Sequence, residues 1–256
     1  MVNIYTDSEN GYDGIANEYE RWCTGDDNYE PSLKFYLEYL EAHNGPFLEL
    51  GIGTGRIALE AIKLHPKHIV GVDISANMLK KCEEKYKKLK GYSVVVGTLQ
   101  LIKQKIENIE FCEEFEVVYL PFRTVGHIMT DTELEQVFKK VYNALLPGGS
   151  FVLDHYIFQK EWAETHNDVD IPMYSDPEKG ITITDHYLYD FEREVMDCSI
   201  KLNERVIQTF NFRWIHPEVI GQAAFRAGFT IDKVYGDFDK SEFSKDSFDQ
   251  IWVLRK

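Results

Sequence analysis

Apolar residues recur at two different periods along this chain, and the alternation of the two predicts its elements. Helical spacing appears first at 12–22, where Tyr12, Ile15, Tyr19 and Trp22 share a face. Pro31 opens a second helical run through Leu33, Leu37 and Leu40, which Asn44-Gly45-Pro46 closes. A third carries Ile57, Ala58, Ala61 and Ile62 inward and stops at Pro66. Ser75 is placed to cap a fourth, with Met78, Leu79, Cys82, Tyr86 and Leu89 inward and Gly91 at its end. Thr130 and Glu133 form a capping box for a fifth, whose stripe is Leu134, Val137, Phe138, Val141 and Leu145. The last is PEVIGQAAFRAG. Short apolar runs separate these segments: PFLELG, HIVGVDIS, YSVVVG, FEVVYLPF, SFVLDHYIF, TIDKVYG and FDQIWVLRK read as seven strands. Strands alternating with helices at this spacing imply βαβ units and a parallel sheet.

The pattern changes after about residue 160. From Gly180 to Trp214 apolar residues alternate with polar ones, which predicts two or three antiparallel strands inserted before the last helix of the core. The expected organisation is an N-terminal helical cap over 1–45, an α/β core over 46–158 and 216–256, and an antiparallel insertion over 159–215 that walls the strand ends.

Charge narrows the function. With 28 Lys and Arg against 43 Asp and Glu, the net charge is −15, which repels phosphate backbones and argues against a nucleic-acid partner. The densest basic run, KKCEEKYKKLK, interleaves acids at helical spacing and reads as a solvated face. Four scattered cysteines without a C-x-x-C pair fit a reducing cytoplasm better than a disulfide framework. No apolar run approaches the ~20 residues of a membrane span. The histidines of His65-Pro66-Lys67-His68 lack metal-ligand spacing, and no metal is expected.

The first strand ends in Gly51-Ile52-Gly53-Thr54-Gly55-Arg56. Glycines allow a tight turn and close approach of a ligand to the backbone, and the following helix offers free N–H groups. The second strand ends in Asp73, about twenty residues on, where a carboxylate can accept both ribose hydroxyls of a nucleoside. A dinucleotide fingerprint would place glycine where Arg56 stands, and Glu49 precedes the first glycine by two. E-x-G-x-G-x-G with an acid closing the next strand resembles the class I S-adenosylmethionine-dependent methyltransferases. The likeness extends through LLPGGSFVL to the terminal strand, covering residues 45–155 best.

That resemblance implies a Rossmann-like α/β fold, with a seven-stranded mostly parallel sheet flanked by helices and an inserted antiparallel β lid. It implies S-adenosyl-L-methionine as cofactor. Gly51, Gly53 and Gly55 then shape the methionine pocket, Glu49 orders the turn, Asp73 holds the ribose, and Ile74 and Met78 pack on the adenine. Arg56 either meets the cofactor carboxylate or is a surface helix residue. The adenine amino group is expected to meet a side-chain oxygen of Thr98 or Gln100, or backbone in this stretch, which includes Leu99. Leu120 and Pro121 line the cofactor pocket, and Tyr19 closes over it or packs on the sheet.

VGHI, at 125–128, resembles the corresponding piece of amino-sugar N,N-dimethyltransferases. His127 is accordingly expected either as a base or orienting group or as a helix-start histidine satisfied by backbone. Arg123, His155, Tyr156 and Trp214 are the candidate substrate contacts. The expected reaction is methyl transfer to nitrogen or oxygen of a small molecule, in a protein that is a possible homodimer. A protein or RNA methyltransferase and a non-catalytic cofactor-binding module are the alternatives.

Overall fold

The computed structural model describes residues 5–6, 11–92 and 94–256, which form two sheets and the helices packed on the larger one. In chain order the strands are β1 (Tyr5–Thr6), β2 (Phe47–Leu50), β3 (His68–Asp73), β4 (Thr98–Lys103), β5 (Phe115–Leu120), β6 (Leu145–Tyr156), β7 (Asp170–Asp176), β8 (Ile181–Asp190), β9 (Val195–Leu202), β10 (Arg205–Arg213), β11 (Thr230–Tyr235) and β12 (Asp249–Arg255). The larger sheet has the order β11-β12-β6-β5-β2-β3-β4. Within it β12 alone runs against its neighbours, so the mostly parallel seven-stranded sheet is as the βαβ pattern requires. Strand order reverses between β2 and β5, and that switch point opens a crevice at the strands' carboxyl ends.

Alternation along the strands divides the core into two layers. Leu48 and Leu50, with Val118 and Leu120, face Leu134, Phe138 and Val141 of α5 (Asp131–Ala144) and Ile220 of α7 (Pro217–Ala227). Phe47, Val117 and Tyr119 face Phe35 and Tyr36 of α2 (Tyr29–Glu41) and Ile57 and Ile62 of α3 (Arg56–Leu64). The predicted caps form: Ser75 Oγ accepts the Met78 N–H at the start of α4 (Ala76–Gly91), and Thr130 Oγ1 accepts the Glu133 N–H.

Three expectations need correction. The third strand of the sheet is Thr98–Lys103, not 92–97. The valine run reads as a strand, but the Val96 and Gly97 N–H groups donate to the Ile62 carbonyl, which ties this stretch to α3 instead. Val94 and Val96 stay exposed. The insertion holds four antiparallel strands, β7 to β10, and β1 joins it in parallel beside β10, so the second sheet has five strands. A helix over 12–22 is also not formed; only α1 (Tyr19–Cys23) is helical, and 11–18 are turns. Gly14 explains this. Its N–H donates to Gln208 Oε1, and a Cβ there would stand 2.1 Å from the Ile207 carbonyl oxygen, so the segment lies against β10.

Candidate functional site

The turn after β2 is built by backbone bonds to β3. Gly51 and Ile52 N–H both donate to the Val72 carbonyl, and Gly53 N–H donates to Asp73 Oδ2 at 2.8 Å. Asp73 Oδ1 accepts the Ser75 N–H at 2.8 Å. Gly51, Gly53 and Gly55 all have positive φ, the region that glycine enters at little cost. A Cβ at Gly53 would meet nothing within 4 Å, so the chain there opens onto free space. A Cβ at Gly55 would instead strike Cys82 Sγ at 2.5 Å, so this third glycine serves packing. Burial pushes the Asp73 carboxyl up, opposed by the two N–H donors.

That free space is a cavity of ≈ 380 Å³ between the strand ends and the inner face of the second sheet. Gly51, Gly53, Asp73, Ile74, Met78, Lys105, Ile106 and Glu107 form its floor. Tyr12, Tyr19, Trp22, Cys23 and Asp26 come from the N-terminal segment. Phe122, Arg123, Thr124, His127 and Tyr156 come from the β5 and β6 ends. The lid contributes Met173, Asp185, Tyr187, Met196, Cys198, Phe210 and Phe212. Lid positions follow the pleat: Tyr187, Cys198 and Phe210 stand in register across β8, β9 and β10.

His127 lies in the turn Thr124–His127, with Nε2 2.9 Å from the Tyr12 hydroxyl. Its ring meets those of Tyr12 and Phe212 edge to face at 5.4 and 5.0 Å. The imidazole is thus held by aromatic neighbours at the cavity wall. Tyr156 stacks on Phe212, and its hydroxyl is buried with no hydrogen-bond partner among the described residues. Arg123 pairs with Asp26 at 2.7 Å and Asp249 at 3.7 Å, so its charge is compensated within the protein.

Of the residues assigned from sequence to cofactor, substrate or catalysis, Tyr19, Gly51, Gly53, Asp73, Ile74, Met78, Arg123, His127 and Tyr156 line the cavity. The others do not. Glu49 is buried beside the turn, accepting from the Tyr119 hydroxyl at 3.0 Å, and burial pushes it up to about 8. Both readings of Arg56 give way to a third: its guanidinium donates to Tyr29 O and Ser32 Oγ and lies over the Tyr29 and Phe122 rings, clamping α2 to α3. Thr98 and Leu99 pair with His68 and Ile69 at the opposite end of the sheet from Asp73. Leu120 and Pro121 are buried, and the chain turns into the cavity at the next residue, Phe122.

His155 is buried, accepts the Ile215 N–H at Nε2, and is pushed down to about 3 by burial, so it is a neutral structural group. Trp214 stacks on Phe158 at 4.1 Å and 8°, away from the cavity. Sequence reasoning missed Lys105, Ile106 and Glu107, because the strand before them was placed six residues early. It also missed Asp185, whose inward position the alternation Ile183, Asp185, Tyr187 could have revealed.

No group of three or more His, Cys, Asp or Glu side chains among the described residues is arranged to hold a metal ion. No helix among them is long and apolar enough to cross a membrane.

Residues 47–149 match the family described as "Methyltransferase domain". A protein of Geobacillus sp. (strain WCH70), provisionally named a methyltransferase, is 25% identical over 145 residues, 56% of this chain and 53% of that protein. The match therefore spans about half the length of that curated relative. Among solved structures, the CcbJ methyltransferase from Streptomyces caelestis superposes with TM-score 0.80 at 20% identity, covering 97% of this chain and 98% of its own. CalS10 from Micromonospora echinaspora, an amino pentose methyltransferase solved with S-adenosylmethionine bound, gives TM-score 0.63 at 16% identity, covering 94% and 96%. These likenesses extend over both sheets, so the inserted lid belongs to the shared fold.

Proposed function

We propose that this chain is an S-adenosylmethionine-dependent methyltransferase that transfers a methyl group to nitrogen or oxygen of a small molecule held between the parallel sheet and the lid. One observation carries this reading: the Gly53–Asp73 cradle opens into the same cavity that the lid's inner face walls off. The residues fit the cofactor. The outward lone pairs of Asp73 suit a ribose diol, the bare backbone at Gly53 admits close approach, and Ile74 and Met78 offer an apolar surface to a purine. Among the described residues, five carboxylates against two cations line the cavity, a balance that suits a sulfonium.

When bound, the cofactor supplies an electrophilic methyl group on a positively charged sulfur. The chain's part is alignment and exclusion of water, for which the aromatic N-terminal segment and lid are suited. Where the acceptor carries a proton that must leave, His127, oriented by Tyr12, is the proposed base. Lys105, Ile106 and Glu107 take over the adenine contact that sequence assigned to Thr98 and Leu99. A modest cavity with an inserted lid favours a compact acceptor over a polymer.

The test is calorimetric titration with S-adenosylhomocysteine. Asp73→Ala should weaken binding about 10- to 100-fold, the loss expected of hydrogen bonds to a charged group. Unchanged affinity in a folded variant would retire the assignment.

A further inference from the structure

Asp185 is the one charged residue that the lid sheet contributes to the cavity wall, among the described residues. It is 1% exposed. One oxygen accepts the Trp22 indole N–H at 2.7 Å, and the other accepts the Tyr187 hydroxyl at 2.6 Å. No Lys, Arg or His among the described residues lies within ion-pair distance of it. A buried carboxylate without a counter-ion is costly, and two neutral donors offset only part of that cost. Burial accordingly pushes its carboxyl up to about 6.

The surroundings suit a cation. Arg123, one of the two cations lining the cavity, is already paired with Asp26 and Asp249. Trp22 belongs to a three-ring cluster with Tyr12 and Tyr19, at centroid distances of 5.7 to 6.1 Å, and such ring faces attract cations. Tyr156 lines the same cavity, and its buried hydroxyl has no hydrogen-bond partner among the described residues.

We propose that Asp185 anchors a protonated amino group of the methyl acceptor, so that the protein selects amine-bearing small molecules over neutral molecules of the same shape. This rests on the methyltransferase reading and extends it to substrate class. Asp185 sits on the inserted lid rather than on the cofactor floor, so the lid sets which acceptor enters.

The test uses full-length protein saturated with S-adenosylhomocysteine and three probes of matched shape: cyclohexylamine, cyclohexanol and cyclohexanecarboxylate. Calorimetry at neutral pH should give the amine about tenfold tighter binding than the alcohol, with the carboxylate weakest. Asp185→Asn, which keeps the shape and one acceptor oxygen but removes the charge, should erase the amine preference and leave S-adenosylhomocysteine affinity within about twofold. The wild-type comparison stands without the variant: equal affinity for amine and alcohol, tighter binding of the carboxylate, or no binding of any probe overturns the inference. An Asn variant that keeps the preference overturns the assignment to Asp185. Failure of wild-type protein to bind S-adenosylhomocysteine instead removes the cofactor reading beneath it.

Discussion

Glu49 and Asp73 are both acids beside the glycine turn, yet their surroundings assign them different work. Asp73 accepts two backbone N–H groups and faces the cavity, whereas Glu49 is sealed against Tyr119. Its folded value near 8 lies above the ordinary carboxyl value, so the folded protein holds a proton there that the unfolded chain releases at lower pH. Its contribution to stability is therefore full at acidic pH and is lost progressively as pH rises from about 4.5 to about 8. Glu49→Gln, neutral at every pH, should gain thermal stability relative to wild type as pH rises through that window. Melting curves at pH 5 and pH 9 check this, and an equal difference at both would contradict it. At this scale the glycines and Asp73 were legible in sequence because turn chemistry is local. Arg56, His155 and Trp214 were not, because their partners lie on other elements.

Between elements, Asp154 on β6 joins the loop after β5 to helix α2. It accepts the Phe122 and Arg123 N–H groups at 2.9 and 2.8 Å, and the Tyr36 hydroxyl at 2.6 Å. Phe122 and Arg123 both have positive φ, a conformation that non-glycine residues hold only under constraint. Asp154 supplies that constraint and so aims Arg123 and the turn bearing His127 at the cavity. Asp154→Ala should leave buried donors unsatisfied and destabilise the fold by about 3 kcal/mol or more, read from urea unfolding. A loss within experimental error would show that the loop holds itself. Sequence periodicity found the five helices α2, α3, α4, α5 and α7 and most strands, since a stripe or alternation needs only neighbours. It misplaced β4 because an apolar run is equally consistent with a strand and with a segment tied to a helix end. It missed β7, where Pro172 and the register shift at Pro172/Tyr174 break the alternation.

For the molecule as a whole, the cavity is closed by pieces far apart in the chain. The Tyr12 and His127 pair is separated by 115 residues, and the Trp22 and Asp185 pair by 163. Binding of S-adenosylhomocysteine should therefore slow amide exchange in residues 11–26 and in β8 to β10 as well as at the glycine turn, with α5 unchanged in the core. Hydrogen exchange followed by mass spectrometry reads this directly. Protection confined to 47–79 would mean that the lid takes no part in holding ligand. From sequence alone came the βαβ order, the glycine turn with its aspartate, the inserted antiparallel block and the family resemblance. All of these rest on short-range periodicity and turn geometry. Which of the chain's acids face a ligand, which histidine is buried and mute, and where an uncompensated charge sits were decided only by chain closure. Burial and pairing are properties of where distant segments meet, and one-dimensional spacing carries no record of that.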